Sequence, residues 1–423
     1  MLVEPRDALK LSLACKALKR LVDCNRIWLF YLQCLQEWDS IFFAETSLRD
    51  GYPLRMISSE SEELSFMRVY GQRAQVPDSI IIDGGSGYCK FGRSKNDSPS
   101  GRSATFLEFG NIESPIYARL QQFFVTIFNR MQVKPSMQPI VVSLPLCHLM
   151  VHLLSFFYTE SAKASRRLLK TAILNVLFDM NVPAVCAVNQ ASLSLYAARQ
   201  TSGIVVNIGF QVITIVPILN GKVMRQVGVE VIGFGAFKLT GFLKEKMQEN
   251  NTTFQSLYTV RTLKENLYYV ALDYEAELSR DTKASMEIMG EGWFTLSNER
   301  FQTGEILFQP RLAGMRAMGL QQAVALCMDH CDAAELTGDG SWFKTVVLAG
   351  GSACLPGLAE RLEKELQNYL PSSSICNGVK VIPPPCGVDT AWHGGKLISN
   401  LSTFPGSWCI TRKQFRRKSR LMW

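Results

Sequence analysis

Ser79–Gly92 reads SIIIDGGSGYCKFG. Ile80, Ile81 and Ile82 are consecutive β-branched residues bounded by turn formers, the signature of a short buried strand. The strand ends on Asp83, and Gly84, Gly85 and Gly87 then turn the chain through conformations open to residues without a Cβ. Successive N–H groups in such a turn form a concavity suited to an anion, and Ser86 adds a hydroxyl. Lys90 brings a compact positive charge to the same anion. The chemistry read here is phosphate binding, with Asp83 near any metal that the phosphate carries. The stretch matches neither G-x-x-x-x-G-K-[ST] nor G-x-G-x-x-G, and by itself it also describes an ordinary hairpin turn.

Outward from this stretch, 423 residues are enough for two or more packed units. Apolar residues at 47% and charged residues at 19% fit a soluble globular protein and exclude wholesale disorder. The net charge of +8 is modest. Part of it lies in Arg412, Lys413, Arg416, Arg417, Lys418 and Arg420, which read either as a solvated tail or as a contact for nucleic acid or a nuclear import receptor. The 12 cysteines include no C-x-x-C pair, pointing to reduced thiols in an intracellular protein. Cys327, Asp329, His330, Cys331 and Asp332 cluster, but no second group completes a tetrahedral zinc site. The start, MLVEPRDALK, lacks a signal-peptide core. Leu144–Tyr158 is apolar but shorter than the roughly 20 residues that span a bilayer. A soluble nuclear or cytoplasmic protein without a membrane partner is expected.

In chain order, residues 8–38 show apolar positions at helical spacing (Leu11, Ala14, Leu18, Leu21, Val22), predicting a small amphipathic helical pair. Residues 39–76 show no strong period and read as a linker. After the hairpin, Asn96–Gly101 is a loop, Tyr117–Met131 a helix and Ile140–Leu144 a buried strand. Leu146–Phe157 and Ser165–Phe178 read as two helices. Strand–helix–strand alternation points to an α/β fold. In Val182–Tyr196 a short strand ends near Val188, and Asn189 with Gln190 opens a helix, the kind of junction where α/β sheets bind ligands. Gly203–Pro217, GIVVNIGFQVITIVP, repeats the first hairpin with Asn207 and Gly209 at its turn, a weak internal duplication. Two such hairpins, one per half, predict a cleft gripping a nucleotide from both sides. Arg261–Leu278 reads as a charged helix presenting Lys264 and Glu265. Thr345–Leu366 reads as a strand, a Gly-Gly turn and a long helix.

The order of these pieces resembles actin and its relatives from Ser79 to the C-terminus. The residues that carry the likeness are DGGSGYCK, ASLSLYAARQTSGIVV, LKENLYYVALDYE, NERFQTGEILFQP, LAGGSACLPGLAERL and AWHGGKLISNLSTF. Leu11–Trp28, LSLACKALKRLVDCNRIW, is similar to the second half of an F-box, whose opening Leu-Pro helix has no counterpart ahead of it. F-boxes dock on the Skp-type adaptor of cullin ubiquitin ligases, and the combination is similar to plant actin-related proteins that carry an F-box. The implied fold is two RNase H-like α/β domains around an ATP cleft. The expected organisation is F-box helices at 1–38, a linker at 39–76, a first half at 77–198, a second half at 199–389, and a return to the first half at 390–423 with a basic tail.

The resemblance implies roles residue by residue. Asp83, Gly85, Ser86, Gly87 and Lys90 form a first phosphate loop, Asp83 meeting magnesium through water. Gln190 matches the glutamine that orients the attacking water. Lys264 and Glu265 match residues at the adenosine, and Gly350, Gly351 and Ser352 the turn beneath base and ribose. Where actin has Asp-Ser-Gly-Asp-Gly, this chain has Asn207, Ile208, Gly209, Phe210 and Gln211, so both carboxylates are gone. An Asn holds metal-bound waters less well than an anion and does not favour an attacking hydroxide. Val388 stands where actin has a lysine near the adenine. Weak ATP or ADP binding with Mg2+ and slow or absent hydrolysis are the expectation. The short segment between the first hairpin and Ile140, and the apolar insertion around Leu146–Thr171, remove one half of a filament interface. The reading is a non-polymerising scaffold or complex subunit. The competing readings are an active ATPase or kinase of the same superfamily, and a nuclear subunit touching nucleic acid.

Overall fold

The computed structural model describes residues 4–35, 37–51, 64–73, 78–106, 109–111, 113–145, 160–224, 227–334, 336, 341–369 and 378–420. Two twisted sheets form its centre. The first contains β1 (Ile80–Asp83), β2 (Cys89–Arg93), β3 (Gly101–Ser103), β4 (Ile140–Leu144), β5 (Ala184–Asn189) and a late strand, β14 (Ile410–Thr411), in the order β14-β5-β4-β1-β2-β3. The second contains β6 (Gly203–Ile208), β7 (Ile213–Leu219), β8 (Lys222–Val223), β12 (Thr345–Ala349) and β13 (Lys380–Ile382), ordered β13-β12-β6-β7-β8, with β9 (Glu230–Ile232) also on β7. A separate hairpin pairs β10 (Ala284–Ile288) with β11 (Gly292–Leu296).

The two sheets repeat one plan. In each, a hairpin runs antiparallel (β1 with β2, β6 with β7), and its first strand then pairs in parallel with a strand from far along the chain (β4, β12). The strands are apolar on both faces, as parallel sheets covered on both sides require. Ile80, Ile82, Ile140 and Val142 meet the helices Ile116–Met131 and Glu160–Asp179, while Ile81, Val141 and Cys186 meet the other layer. In the second sheet Ile204, Val206 and Leu348 pack on the helices Leu320–Ala333 and Leu358–Tyr369.

The helix Gln190–Ala197 lies between the halves. Leu193 and Tyr196 belong to the core of the first sheet, and Ala191 and Leu195 to that of the second. The helix Thr390–Ser399 crosses it so closely that a Cβ on Gly394 would stand 1.9 Å from the Leu193 carbonyl oxygen. Only glycine permits that approach.

Three sequence expectations change. In residues 8–38 there are three short helices, Pro5–Ala14, Lys16–Val22 and Asn25–Gln33, rather than a pair. The span read as a linker carries two helices, Trp38–Ser47 and Phe66–Arg73. The first sends Ile41 into the N-terminal cluster and Ala44 and Leu48 into the body. Arg261–Leu278 is not continuous: Leu257–Leu267 ends at Tyr268, whose backbone is extended, and Tyr274–Leu278 follows. The Tyr268 hydroxyl donates to Thr303 Oγ1 at 3.0 Å and Val270 N–H to the Pro356 carbonyl at 2.8 Å, partners a continued helix would forfeit. The proposed helix Leu146–Phe157 lies outside the described residues, and Glu160–Asp179 starts ahead of the helix expected from Ser165.

Candidate functional site

The strand ends β1 and β6 deliver the two hairpin turns to one cleft of about 450 Å³ between the halves. Asp83, Gly85, Ser86, Gly87 and Lys90 line it from the first half, and Asn207 and Gly209 from the second. Gln190 stands at the helix between them. Lys264, Glu265, Gly350, Gly351 and Ser352 line the remainder, so the residues assigned to the nucleotide cleft from the sequence all line one cavity. The hairpin tips touch, since a Cβ on Gly87 would meet the Phe210 side chain at 3.1 Å. Phe210 in turn packs on Phe237, ring centroids 5.6 Å apart.

Asp83 is 2% exposed. Its Oδ1 accepts from Ser143 Oγ at 2.6 Å and from Gln190 Nε2 at 2.7 Å, and Lys90 Nζ stands 3.7 Å from Oδ2. Ser143 Oγ accepts the Gly84 N–H at 2.8 Å, and the Gly85 N–H turns back to the Asp83 carbonyl at 3.1 Å. Lys90 is also buried: Nζ donates to the Val388 carbonyl and lies 3.4 Å from Asp389 Oδ1. Its charge is therefore fixed in place at the cleft wall, tying the hairpin to the segment before Thr390–Ser399.

At the other end Lys264 Nζ donates to Thr240 Oγ1 at 3.0 Å and to the Ala236 carbonyl at 3.2 Å. Burial lowers its pKa to about 8, because a desolvated ammonium loses hydration that Glu265 only partly replaces. Glu265 is not aimed solely into the cleft, since Oε1 accepts from Arg261 Nε at 2.8 Å. That bond, with smaller help from Tyr88, raises the Arg261 pKa. Gly350 has φ +94°, and a Cβ on it would meet the Ile208 carbonyl oxygen at 2.3 Å and Asn207 Oδ1 at 2.8 Å. The Gly-Gly turn thus sits directly against the second hairpin.

Sequence reasoning missed several lining groups. It also missed Ser143, which does not line the cleft but holds Asp83 from behind and carried one signal, a lone hydroxyl in the apolar run IVVSL. Tyr88, Arg102 and Arg261 carried none, because Arg102 on β3 and Arg261 on the helix Leu257–Leu267 meet only in three dimensions, over the Tyr88 ring at 5.1 and 5.6 Å from its centroid. The cysteine cluster is core material: Cys327 and Cys331 are buried, and among the described residues no group of three His, Cys, Asp or Glu can hold a metal. No described helix is long and apolar enough to cross a membrane.

Two duplicated α/β halves, a helix between them and facing hairpin turns over a common cleft define the class as a two-domain cleft protein. Comparison with known sequences then gives the family. Residues 123–419 match the actin family model, and the chain belongs to the actin family as an actin-related protein. It is 82% identical over 424 residues to Actin-related protein 8 of Arabidopsis thaliana, covering 100% of this chain and 88% of that protein. It is 60% identical to Actin-related protein 8 of Oryza sativa, in both subspecies indica and japonica, over 99% of this chain and 86% of theirs.

Proteins of this fold typically bind a nucleotide with Mg2+. The lining fits the nucleotide: backbone at both hairpin turns, a lysine at each end, and open space where a Cβ on Gly351 would stand. It does not fit the metal. Asp83 Oδ1 already accepts two hydrogen bonds, Oδ2 faces the Lys90 ammonium at 3.7 Å, and the turn Asn207–Gln211 contains no ionisable side chain.

Proposed function

We propose that this chain is a non-polymerising actin-related scaffold that uses a bound ATP or ADP to order its two halves and hydrolyses it slowly or not at all. The observation that carries the reading is the pairing of Asp83 with Asn207 across one cleft, with no carboxylate on the second turn. The second turn therefore lacks a group able to polarise an attacking water, and Gln190 is turned to Asp83. Loss of such an electrostatic or positioning group commonly costs about a hundredfold or more in rate. Thermal stabilisation by ATP and ADP without phosphate release supports the reading; sustained turnover would replace it with an active ATPase or kinase.

Protein partners belong to the same proposal. The N-terminal helices are bolted to the body, not tethered. Glu45 accepts from the Ser402 N–H and hydroxyl, both at 2.7 Å, and Lys396 Nζ reaches Glu37 at 2.9 Å. Outward they show Leu9, Leu11, Leu13 and Leu21, with Leu13 87% exposed. An apolar face on a rigid arm suits a Skp-type adaptor of a cullin ubiquitin ligase, docked through residues 8–38. Co-precipitation lost in Leu13→Asp and Leu21→Asp supports this; no capture of the adaptor by the unaltered chain removes it.

A second reading, a nuclear subunit that contacts nucleic acid, is favoured by the helix Arg412–Arg420. Phe415 anchors it against Phe178 at 5.5 Å, leaving Lys413, Arg416 and Arg417 exposed. Binding to DNA or RNA that falls steeply with salt would support it.

A further inference from the structure

We propose that the cleft takes its nucleoside polyphosphate as the metal-free anion, with the chain's own cationic side chains supplying the countercharge that a divalent cation would otherwise bring. The proposal rests on the nucleotide reading above and adds the form of the ligand.

The first observation is what the phosphate end lacks. Mg2+ dehydrates reluctantly and is held largely through waters that anionic side chains orient. Asp83 is the one carboxylate among the lining residues of the two hairpins, and Ser143, Gln190 and Lys90 already surround its oxygens. Opposite it, Asn207 is neutral, and its amide oxygen is directed to the Gly350 turn. A hydrated dication would find one occupied carboxylate and, beside it, an ammonium.

The second observation is what has gathered there. Lys90, Arg102, Arg261 and Lys264 line the cleft against Asp83 and Glu265, with Asp389 just behind, 3.4 Å from Lys90 and 4.0 Å from Arg102. Counting all three carboxylates, the wall carries an excess of positive charge. Arg102 and Arg261 come from opposite halves and are held over the same Tyr88 ring. Guanidinium groups shed water readily and bind phosphate oxygens in pairs, so they neutralise a polyphosphate without an intervening metal. The Tyr88 ring keeps both at the rim while leaving each about half exposed to an incoming ligand.

The test is titration calorimetry of the full chain with ADP and with ATP, in excess Mg2+ and again in EDTA. The expected result is a dissociation constant in EDTA equal to or lower than in Mg2+. Asn207→Asp should reverse the preference, so that EDTA weakens binding by about tenfold or more. Replacing Arg102 and Arg261 together by Met should weaken binding in EDTA by about tenfold or more. The ligand-free melting temperature of each variant verifies its folding, and the unaltered chain alone decides the main comparison. Binding that requires Mg2+ overturns this proposal and leaves the nucleotide reading standing. Absence of binding in both buffers overturns the two together.

Discussion

Lys264 shows what a single buried charge does in this cleft. Its pKa of about 8 lies below the ordinary 10.5 because the folded chain disfavours the ammonium. Between those values the unfolded chain binds more protons than the folded one, so stability rises with pH from about 8 upward; below 8 the full cost of burial is present. Lys264→Met should therefore raise the melting temperature of the ligand-free protein at pH 7, by about 2 °C for each kcal/mol recovered. An anionic ligand prefers the protonated form, so ADP affinity should decline as pH passes through about 8, and Lys264→Met should flatten that profile; a pH-independent affinity in the unaltered chain would contradict it. At this scale the sequence exposed Asp83, Gly85 and Asn207, because a β-branched strand running into glycine marks a turn locally. It concealed Tyr88, Arg102 and Arg261, whose meeting arises from strands and helices brought together at long range.

The helices Gln190–Ala197 and Thr390–Ser399 are the elements on which the cleft turns, since one meets both sheets and the other locks against it. Gly394→Ala forces a methyl into the Leu193 carbonyl and should cost about 3 kcal/mol or more, seen as a lowered denaturation midpoint. The helix Trp38–Ser47 is the second such element. Glu45→Ala strands the Ser402 N–H in a buried site and should cost about 2–3 kcal/mol. Amide hydrogen exchange should then rise together in Trp38–Ser47 and near Ser402; a rise in one alone would show that the arm is not bolted on. This helix escaped the sequence reading for a physical reason. It is covered on two sides, Ile41 by the N-terminal cluster and Ala44 by the body, so its apolar residues do not repeat at one-face spacing. The break at Tyr268 was equally silent, because no Gly or Pro marks it and its cause is a hydroxyl partner on a distant helix. The two hairpins were legible because their strands are short, β-branched and closed by local turn chemistry.

For the whole molecule, the proposed reading makes a nucleotide the clasp: held by Asp83's turn and Asn207's turn, it would order one half against the other. Binding to the folded state alone stabilises it by about 2.7 kcal/mol at a hundredfold excess over the dissociation constant. The same account has the chain monomeric or held within a complex, so sedimentation at rising concentration with ATP should show no growing filaments. The most direct measurement is to heat the full chain with and without saturating ATP while assaying released phosphate in the same sample. The account predicts a melting temperature raised by several degrees, less so when Arg102 and Arg261 are both replaced by Met, with phosphate at the background of a protein-free control. Sustained phosphate release that Asp83→Ala abolishes, or a melting temperature that ATP does not move, would contradict it.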